Sequence, residues 1–576
     1  GLDFFSDERD KQNGFTDGIG LVGGAYNHRL SRTYAPNLDF LATLHKSELF
    51  DGISTSLSFG GQSWGTSTYY IEGNINTTGK SPYIHAFNNY ATDPPANNAV
   101  PKEGIREKKI NSLFGLWDVS YKDFLFLQVT GRNDWSSTLP EENNDYFYPG
   151  ASLSFVPSEI FDMGSFISFA KLRLAYAETG SDTDPYQVTP TYVPGSFGGK
   201  PTVSMQNGLP NLDLQSQRSK EFEIGTYITF WDNRVTVDLT YYNKHSYDQI
   251  LSAPLPWSAG ANSIKFNTGE LELKGLEFDV NVTVARTMDL RWDIGMVGSK
   301  FSNTLLGLTE GVDVYTIGGL WGAFGTTMRA TVNQNFGAIY GWGVVKAPNG
   351  RPILDTLLDE DGNVTSTLYR KSAEQEIVGN ATPKMIGGIN STLSWKNFTL
   401  FTLVDFKWGG DVYCPQYGSA LIGGLSPATL VERNGGGLPY TYPSGETANI
   451  GVIMDGVVET SDGVFEENTH VVHAYYKYAG NGWNPNPQPD AVFENSWVKL
   501  REVSVSYRLP ASLMGKISFI SNFDVMLTGR DLFYIYDTMP DNINPEGLNG
   551  VGDAQYVIAG ALPGIRSFAI TLRATF

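Results

Sequence analysis

The chain has 576 residues, with 41 Lys plus Arg against 61 Asp plus Glu and a formal net charge of −20. Aromatic residues are 13% and charged residues 18%, the reverse of a disordered chain, which is poor in aromatics and rich in charge. No apolar run reaches the roughly 18 residues of a helical membrane span. An acidic chain whose clustered cations are Arg106, Lys108 and Lys109 is also disfavoured as a nucleic-acid binder, because phosphate repels it.

The reactive side chains are sparse. A single cysteine, Cys414, permits neither an intramolecular disulfide nor a paired-thiol redox site. The six histidines are His28, His45, His85, His245, His470 and His473. Only the last two are close, and a spacing of three on a strand puts them on opposite faces. No metal site and no cofactor are expected. Ser136, Ser137 and Thr138 follow Asp134 with no base nearby in sequence, and no G-x-S-x-G elbow occurs, so an enzyme is not expected. The first residues lack a basic segment followed by an apolar one, so the expectation is a leader already removed or a fragment.

In chain order, strands are expected from near Leu38 onward, with a further one within residues 14–30. A short turn falls at Tyr121-Lys122-Asp123, and a long connection follows at residues 181–216. Residues 220–230 alternate, with Phe222, Ile224, Thr226, Ile228 and Phe230 on one face and Glu221, Glu223, Gly225, Tyr227 and Thr229 on the other. After a turn at Trp231-Asp232-Asn233, Val235, Val237, Leu239 and Tyr241 alternate with Thr236, Asp238, Thr240 and Tyr242. A long connection at 245–270 precedes a third alternating run, with Leu276, Phe278, Val280, Val282 and Val284 on one face. Short turns recur at Thr287-Met288-Asp289 and Trp395-Lys396-Asn397, and residues 410–493 form another long connection.

Residues 497–509 break phase. Val498 and Leu500 share one parity, while Val503, Val505, Tyr507 and Leu509 share the other. A β-bulge at Arg501-Glu502 restores one apolar face and keeps both charges off it. The last ten residues, SFAITLRATF, carry Phe568, Ile570, Leu572, Ala574 and Phe576 on one face. This aromatic-ending strand is similar to the C-terminal assembly signal of bacterial outer-membrane barrels, with Phe568, Ile570, Leu572 and Phe576 as its residues.

These runs are longer than the usual strand of about 5–6 residues, and transmembrane strands need about 9–11. Short turns alternating with long connections match barrels with short periplasmic turns and long outer loops. Tyr121, Trp231 and Trp395 at the turns suit an interfacial girdle. The expected fold is all-β, a transmembrane antiparallel β-barrel with about 14–16 strands visible by this pattern.

Several segments stand in the order of a known family. They are residues 121–155, beginning YKDFLFLQVTGRNDWSSTLPEENNDYFYPG, then KLRLAYAETG at 171–180 and the strand pair within 211–247. Asn267-Thr268-Gly269 with Lys274-Gly275-Leu276-Glu277 follows, then FGAIYGWG at 336–343, WVKLREVSVSYRLP at 497–510 and GRDLFY at 529–534. Together they resemble SusC/RagA-type TonB-dependent transporters of the outer membrane of Bacteroidetes.

The resemblance implies a plugged barrel of about 22 strands. It also implies a SusD-like surface lipoprotein acting as a lid, drive from the TonB complex, and surrounding outer-membrane lipid and lipopolysaccharide. Residues 1–576 look like the C-terminal part of such a barrel, with the plug and first strands outside this chain. An open sheet cannot leave two unpaired edges in lipid. The acidic stretch at residues 358–363 lacks the full calcium-loop pattern, and Asp361-Gly362 is read as a hairpin turn.

The function this implies is active import of a large nutrient, an oligosaccharide first and an oligopeptide second. Aromatic faces stack on sugar rings and apolar side chains, so the candidate ligand contacts are Trp257, Trp321, Phe324, Tyr440, Tyr442, Tyr476 and Trp483, with Tyr475 and Tyr478 beside them. The same rings also suit loop packing or lid contact. Other readings are a passive porin-like or surface-binding barrel, a siderophore or vitamin receptor, and a barrel enzyme.

Overall fold

The computed structural model describes residues 1–13, 25–76, 102–205, 208–318, 325–430, 432–479, 491–510, 512, 520–549, 555–560 and 563–576. Sixteen strands form one sheet in sequence order, built of antiparallel pairs. They are β1 (Leu2–Asn13), β2 (Ala25–Phe50), β3 (Ile53–Asn76), β4 (Lys102–Tyr121), β5 (Leu125–Ser136), β6 (Asp145–Phe155), β7 (Ile167–Ser181) and β8 (Gln217–Phe230). The series continues with β9 (Val235–Tyr247), β10 (Glu270–Arg286), β11 (Leu290–Gly307), β12 (Met385–Trp395), β13 (Phe398–Trp408), β14 (Trp497–Arg508), β15 (Asn522–Asp537) and β16 (Ser567–Thr575).

The connections at residues 51–52, 122–124, 231–234, 287–289 and 396–397 are short, and each follows an even-numbered strand. Those after odd-numbered strands include 182–216, 248–269, 308–384, 409–496 and 538–566. Four short turns are those expected; the Asp51-Gly52 turn is an addition, with Gly52 at φ 72. Lys122, Trp231, Asp232, Asn233 and Lys396 also have positive φ. At two of these turns a lysine covers an aromatic ring, Lys122 over Tyr121 at 5.4 Å and Lys396 over Trp395 at 5.7 Å.

The chain divides into two compact units. The first comprises residues 1–155, 174–222 and 246–269, and the second 156–173, 223–245 and 270–576. In the first unit, β2 and β3 run 26 and 24 residues, about 80 Å each at about 3.3 Å per residue. Its buried cluster joins Leu139, Tyr146 and Leu214 in and beside the connections. Asp182, at the start of the 182–216 connection, accepts hydrogen bonds from Lys108, Ser136 and Thr138. This explains the polar Ser136-Ser137-Thr138 stretch as a staple between strand ends.

In the second unit the buried apolar clusters also lie largely in connections. One joins Met328, Ile339, Tyr413, Ala491, Tyr556 and Val557. Another joins Leu354, Met454 and Val472 with Tyr476 packed against it. A four-stranded sheet of Val364–Tyr369, Ile353–Leu358, Val457–Ser461 and Val464–Glu467 closes around the second. Arg370 ties this sheet, donating to Asp355 at 2.8 Å and Glu459 at 2.6 Å. Its turn is the hairpin expected at Asp361-Gly362: the Asp359 carboxylate accepts from the Asp361 and Asn363 amides at 3.0 and 2.8 Å. Those amide bonds, chiefly Asn363's, hold Asp359 below the usual carboxylate range.

Two expectations are amended. The sheet begins at Leu2 rather than near Leu38, because β1 (LDFFSDERDKQN) carries charges on both faces and shows no apolar period. Of the strand expected within 14–30, residues 25–30 belong to β2 and residues 14–24 lie outside the described residues. The bulge is present: Leu403 pairs with Glu502 and Val404 with Leu500, which leaves Arg501 as the extra residue.

Candidate functional site: the polar face of the second unit

Directly paired residues share a sheet face, so the registers sort β10 to β14 into rows. Phe278, Gly298, Gly387, Phe406 and Val498 form one row. The rows on either side belong to the opposite face. They are Glu277, Ser299, Ile386, Lys407 and Trp497, and Asp279, Val297, Gly388, Asp405 and Lys499. The apolar row needs its glycines, since a Cβ at Gly298 would stand 2.5 Å from the Phe278 ring and one at Gly387 2.6 Å from that of Phe406. The face is polar at the strand ends leading into the long connections.

Two ion networks organise this face. Arg173 on β7 donates to Asp238 on β9 through Nη1 at 3.0 Å and Nη2 at 2.5 Å, and to Thr240 at 3.1 Å. It crosses β8 at Gly225, where a Cβ would meet the guanidinium at 2.9 Å. The second network is built on the bulge. Arg501 donates to Asp405, Asp531 and Glu546 at 2.7, 2.6 and 2.6 Å. Lys499, only 6% exposed, reaches Asp531 at 2.9 Å and Glu546 at 2.5 Å and lies over the Tyr534 ring at 5.0 Å.

Glu546 comes from the 538–566 connection, so these bonds clamp that connection to the face. Burial acts to raise the Glu546 pKa, but hydrogen bonds from Arg501, Lys499 and Tyr534 bring it below the usual range. Beside the networks is a cavity of about 690 Å³ lined by Arg173, Asp238, Glu277, Asp279, Lys407 and Trp497, among others. It can hold a ligand of about drug size through a few placed charges and one indole.

Residues 3–413 match the family model described as TonB dependent receptor-like, β-barrel. The chain belongs to the TonB-dependent receptor β-barrel family. Its fold is the all-β, antiparallel barrel of outer-membrane TonB-dependent receptors, and among the described residues no helix is long and apolar enough to cross a membrane. TonB-dependent receptor P26 of Formosa agariphila is 27% identical over 518 residues, covering 85% of this chain and 48% of that protein. TonB-dependent receptor SusC of Bacteroides thetaiotaomicron is 25% identical over 304 residues, covering 50% and 30%. The structure of the RagAB peptide transporter superposes with a TM-score of 0.73 at 17% identity, over 100% of this chain and 59% of that one. The SusC/RagA-type resemblance is thus supported, and the chain spans about half the length of Formosa P26.

Of the residues expected as ligand contacts in this TonB-dependent receptor, the structure describes the side chains of Tyr440, Tyr442 and Tyr476. Trp321, Phe324 and Trp483 lie outside the described residues, and Trp257 opens a short 3-10 turn, Trp257–Ala259. Tyr440 and Tyr442 stack edge to face at 5.4 Å, and both meet the His473 ring, at 5.4 and 5.8 Å. Tyr476 packs on the Leu354 cluster. On β16, Phe568, Ile570 and Leu572 are 78, 72 and 63% exposed, and Phe576 beyond it is 83% exposed. Sequence reasoning missed the ion networks, because Arg173 and Asp238 stand 65 residues apart and Arg501 and Glu546 stand 45 apart. It also missed the grouping of Glu8, Asp10 and His28, whose ligand atoms lie within 4.8 Å of one another. Antiparallel pairing of β1 and β2 places Asp10 opposite His28. His28 Nδ1 and the Asp10 carboxylate are 2.8 Å apart.

Proposed function

We propose that this chain forms barrel wall of an active importer of a large nutrient, an oligosaccharide or an oligopeptide. The TonB complex energises it through parts of the protein beyond this chain, and a SusD-like surface lipoprotein closes over its long connections. The observation that carries this reading is the polar face of the second unit, where paired charges and Trp497 border a cavity of about 690 Å³ next to the long connections. A wall built only for stability would favour apolar or neutral contacts there, because each desolvated charge is costly. Membership of the TonB-dependent receptor family supports energised transport, and similarity to the RagAB peptide transporter supports an oligopeptide among the cargo classes.

The test is uptake by a strain deleted for the whole gene and fed labelled oligosaccharides or oligopeptides. Loss of uptake of one class, restored by the full gene and abolished by collapsing the proton gradient, is the expected result. Unchanged uptake of both classes in the deletion strain would overturn the proposal.

A further inference from the structure

The charges bordering the cavity are not all spoken for. Asp238 is neutralised by Arg173, and Asp405 by Arg501. Lys407 and Glu277 make no hydrogen bond or ion pair among the described residues. The electrostatic neighbour of Lys407 is Asp411, whose carboxylate already accepts from the Asn380 amide at 2.7 Å. On the other side Glu277 is joined by Asp279, whose one hydrogen bond among the described residues is to the Asn281 side chain at 2.7 Å. The cavity therefore has a cationic end on β13, beside Trp497, and an anionic end on β10.

The two ends lie in one register row, Glu277, Ser299, Ile386, Lys407. That is three strand spacings, about 14 Å at about 4.8 Å each. An extended chain of four residues covers about 13 Å at about 3.3 Å per residue. At neutral pH its α-carboxylate is ionised and its α-amine is largely protonated. A neutral oligosaccharide offers neither charge and would leave both ends desolvated without a partner, which is costly.

We propose that this cavity binds a short zwitterionic oligopeptide of about four residues, its carboxylate toward Lys407 and its ammonium toward Glu277 and Asp279. This rests on the importer reading above and selects between its two cargo classes. Arg173, Asp238, Asp405 and Arg501 hold the wall in shape, while Lys407 and Glu277 read the ligand.

Calorimetric titration of the purified full-length transporter with three probes tests this: tetraglycine, N-acetyl-tetraglycine amide and maltotetraose. Tetraglycine is expected to bind at least tenfold more tightly than either neutral probe, and its affinity to fall as salt is raised. Lys407→Gln and Glu277→Gln are each expected to cut tetraglycine affinity about tenfold. The comparison of probes on the unaltered protein needs no variant, so a folding defect in either substitution leaves the test intact. Equal binding of tetraglycine and its capped form, or an unaltered affinity in Lys407→Gln, would overturn the inference. Maltotetraose bound as tightly as tetraglycine, together with its uptake by cells, would overturn it while leaving import standing. Binding of none of the probes together with no uptake of any oligomer would overturn both.

Discussion

Lys499→Met isolates the clamp at the bulge. The substitution keeps an unbranched chain one atom shorter and removes the ammonium that Asp531 and Glu546 share at 2.9 and 2.5 Å. Asp531 would then depend on Arg501, which Asp405 also engages, and Glu546 on Arg501 and the Tyr534 hydroxyl. Removing one partner from a fully buried ion pair costs about 3–5 kcal/mol. Here the Lys499 side chain is 7% exposed, but those of Asp531 and Glu546 are 37% and 30% exposed, so solvent screens the orphaned charges. The cost is therefore about 1–3 kcal/mol. Glu546→Gln removes the charge on the other side. Because the two residues touch, the double variant should show a coupling of about 1–2 kcal/mol. The assay is urea unfolding of the full-length protein in detergent, read by heat-modifiable gel mobility. Single-variant effects that add to within about 0.5 kcal/mol would show that the Glu546 clamp contributes nothing through Lys499.

Other expectations follow from neighbouring features. Val404→Arg places a cation on the apolar face in mid-strand and should destabilise by about 2–4 kcal/mol, whereas the adjacent Leu403→Arg, opposite Glu502 on the other face, should cost less than about 1 kcal/mol; unfolding midpoints distinguish them. Burial pushes the Cys414 thiol up to about 11, so a maleimide at pH 8 should label it only after unfolding, and rapid labelling of the folded protein would contradict its placement. The hydrogen bonds that lower Asp359 stabilise its turn at pH values above the ordinary carboxylate value of 3.8 and are lost as pH falls through the lowered value. Cleavage within residues 358–364 by an acid protease, measured relative to an unstructured peptide substrate, should therefore rise at the acid end for the native sequence, while Asp359→Asn should follow the protease's own pH profile.

Local alternation was enough to read β8, β9 and β10, since Phe222 to Phe230 and Leu276 to Val284 each keep one parity. The short turns were legible because Lys396-Asn397 and its counterparts interrupt that period within a few residues. The phase break at Arg501 was legible for the same reason, and it located the residue on which the larger network is built. Distances along the chain hid the rest. Nothing near Arg173 in sequence announces Asp238, because their approach depends on a third strand that offers Gly225 at the crossing. Glu546 belongs to a connection with no periodicity, so its return to β14 is a tertiary event. The loop aromatics were visible as rings but not as roles: Tyr476 packs into an apolar cluster, while Tyr440 and Tyr442 gather around His473. β1 was unreadable because Asp7, Glu8, Arg9 and Asp10 put charge on both of its faces.

The central claim is that one face of each strand meets lipid and the other meets water. Spin labels placed singly along residues 398–408 of the full-length protein in bilayers test it most directly. Collisions with oxygen should peak at Phe398, Leu400, Thr402, Val404 and Phe406, and collisions with a water-soluble nickel chelate at Thr399, Phe401, Leu403, Asp405 and Lys407. Accessibility that fails to alternate with a period of two, or that gives oxygen peaks on the Asp405 face, would contradict the account.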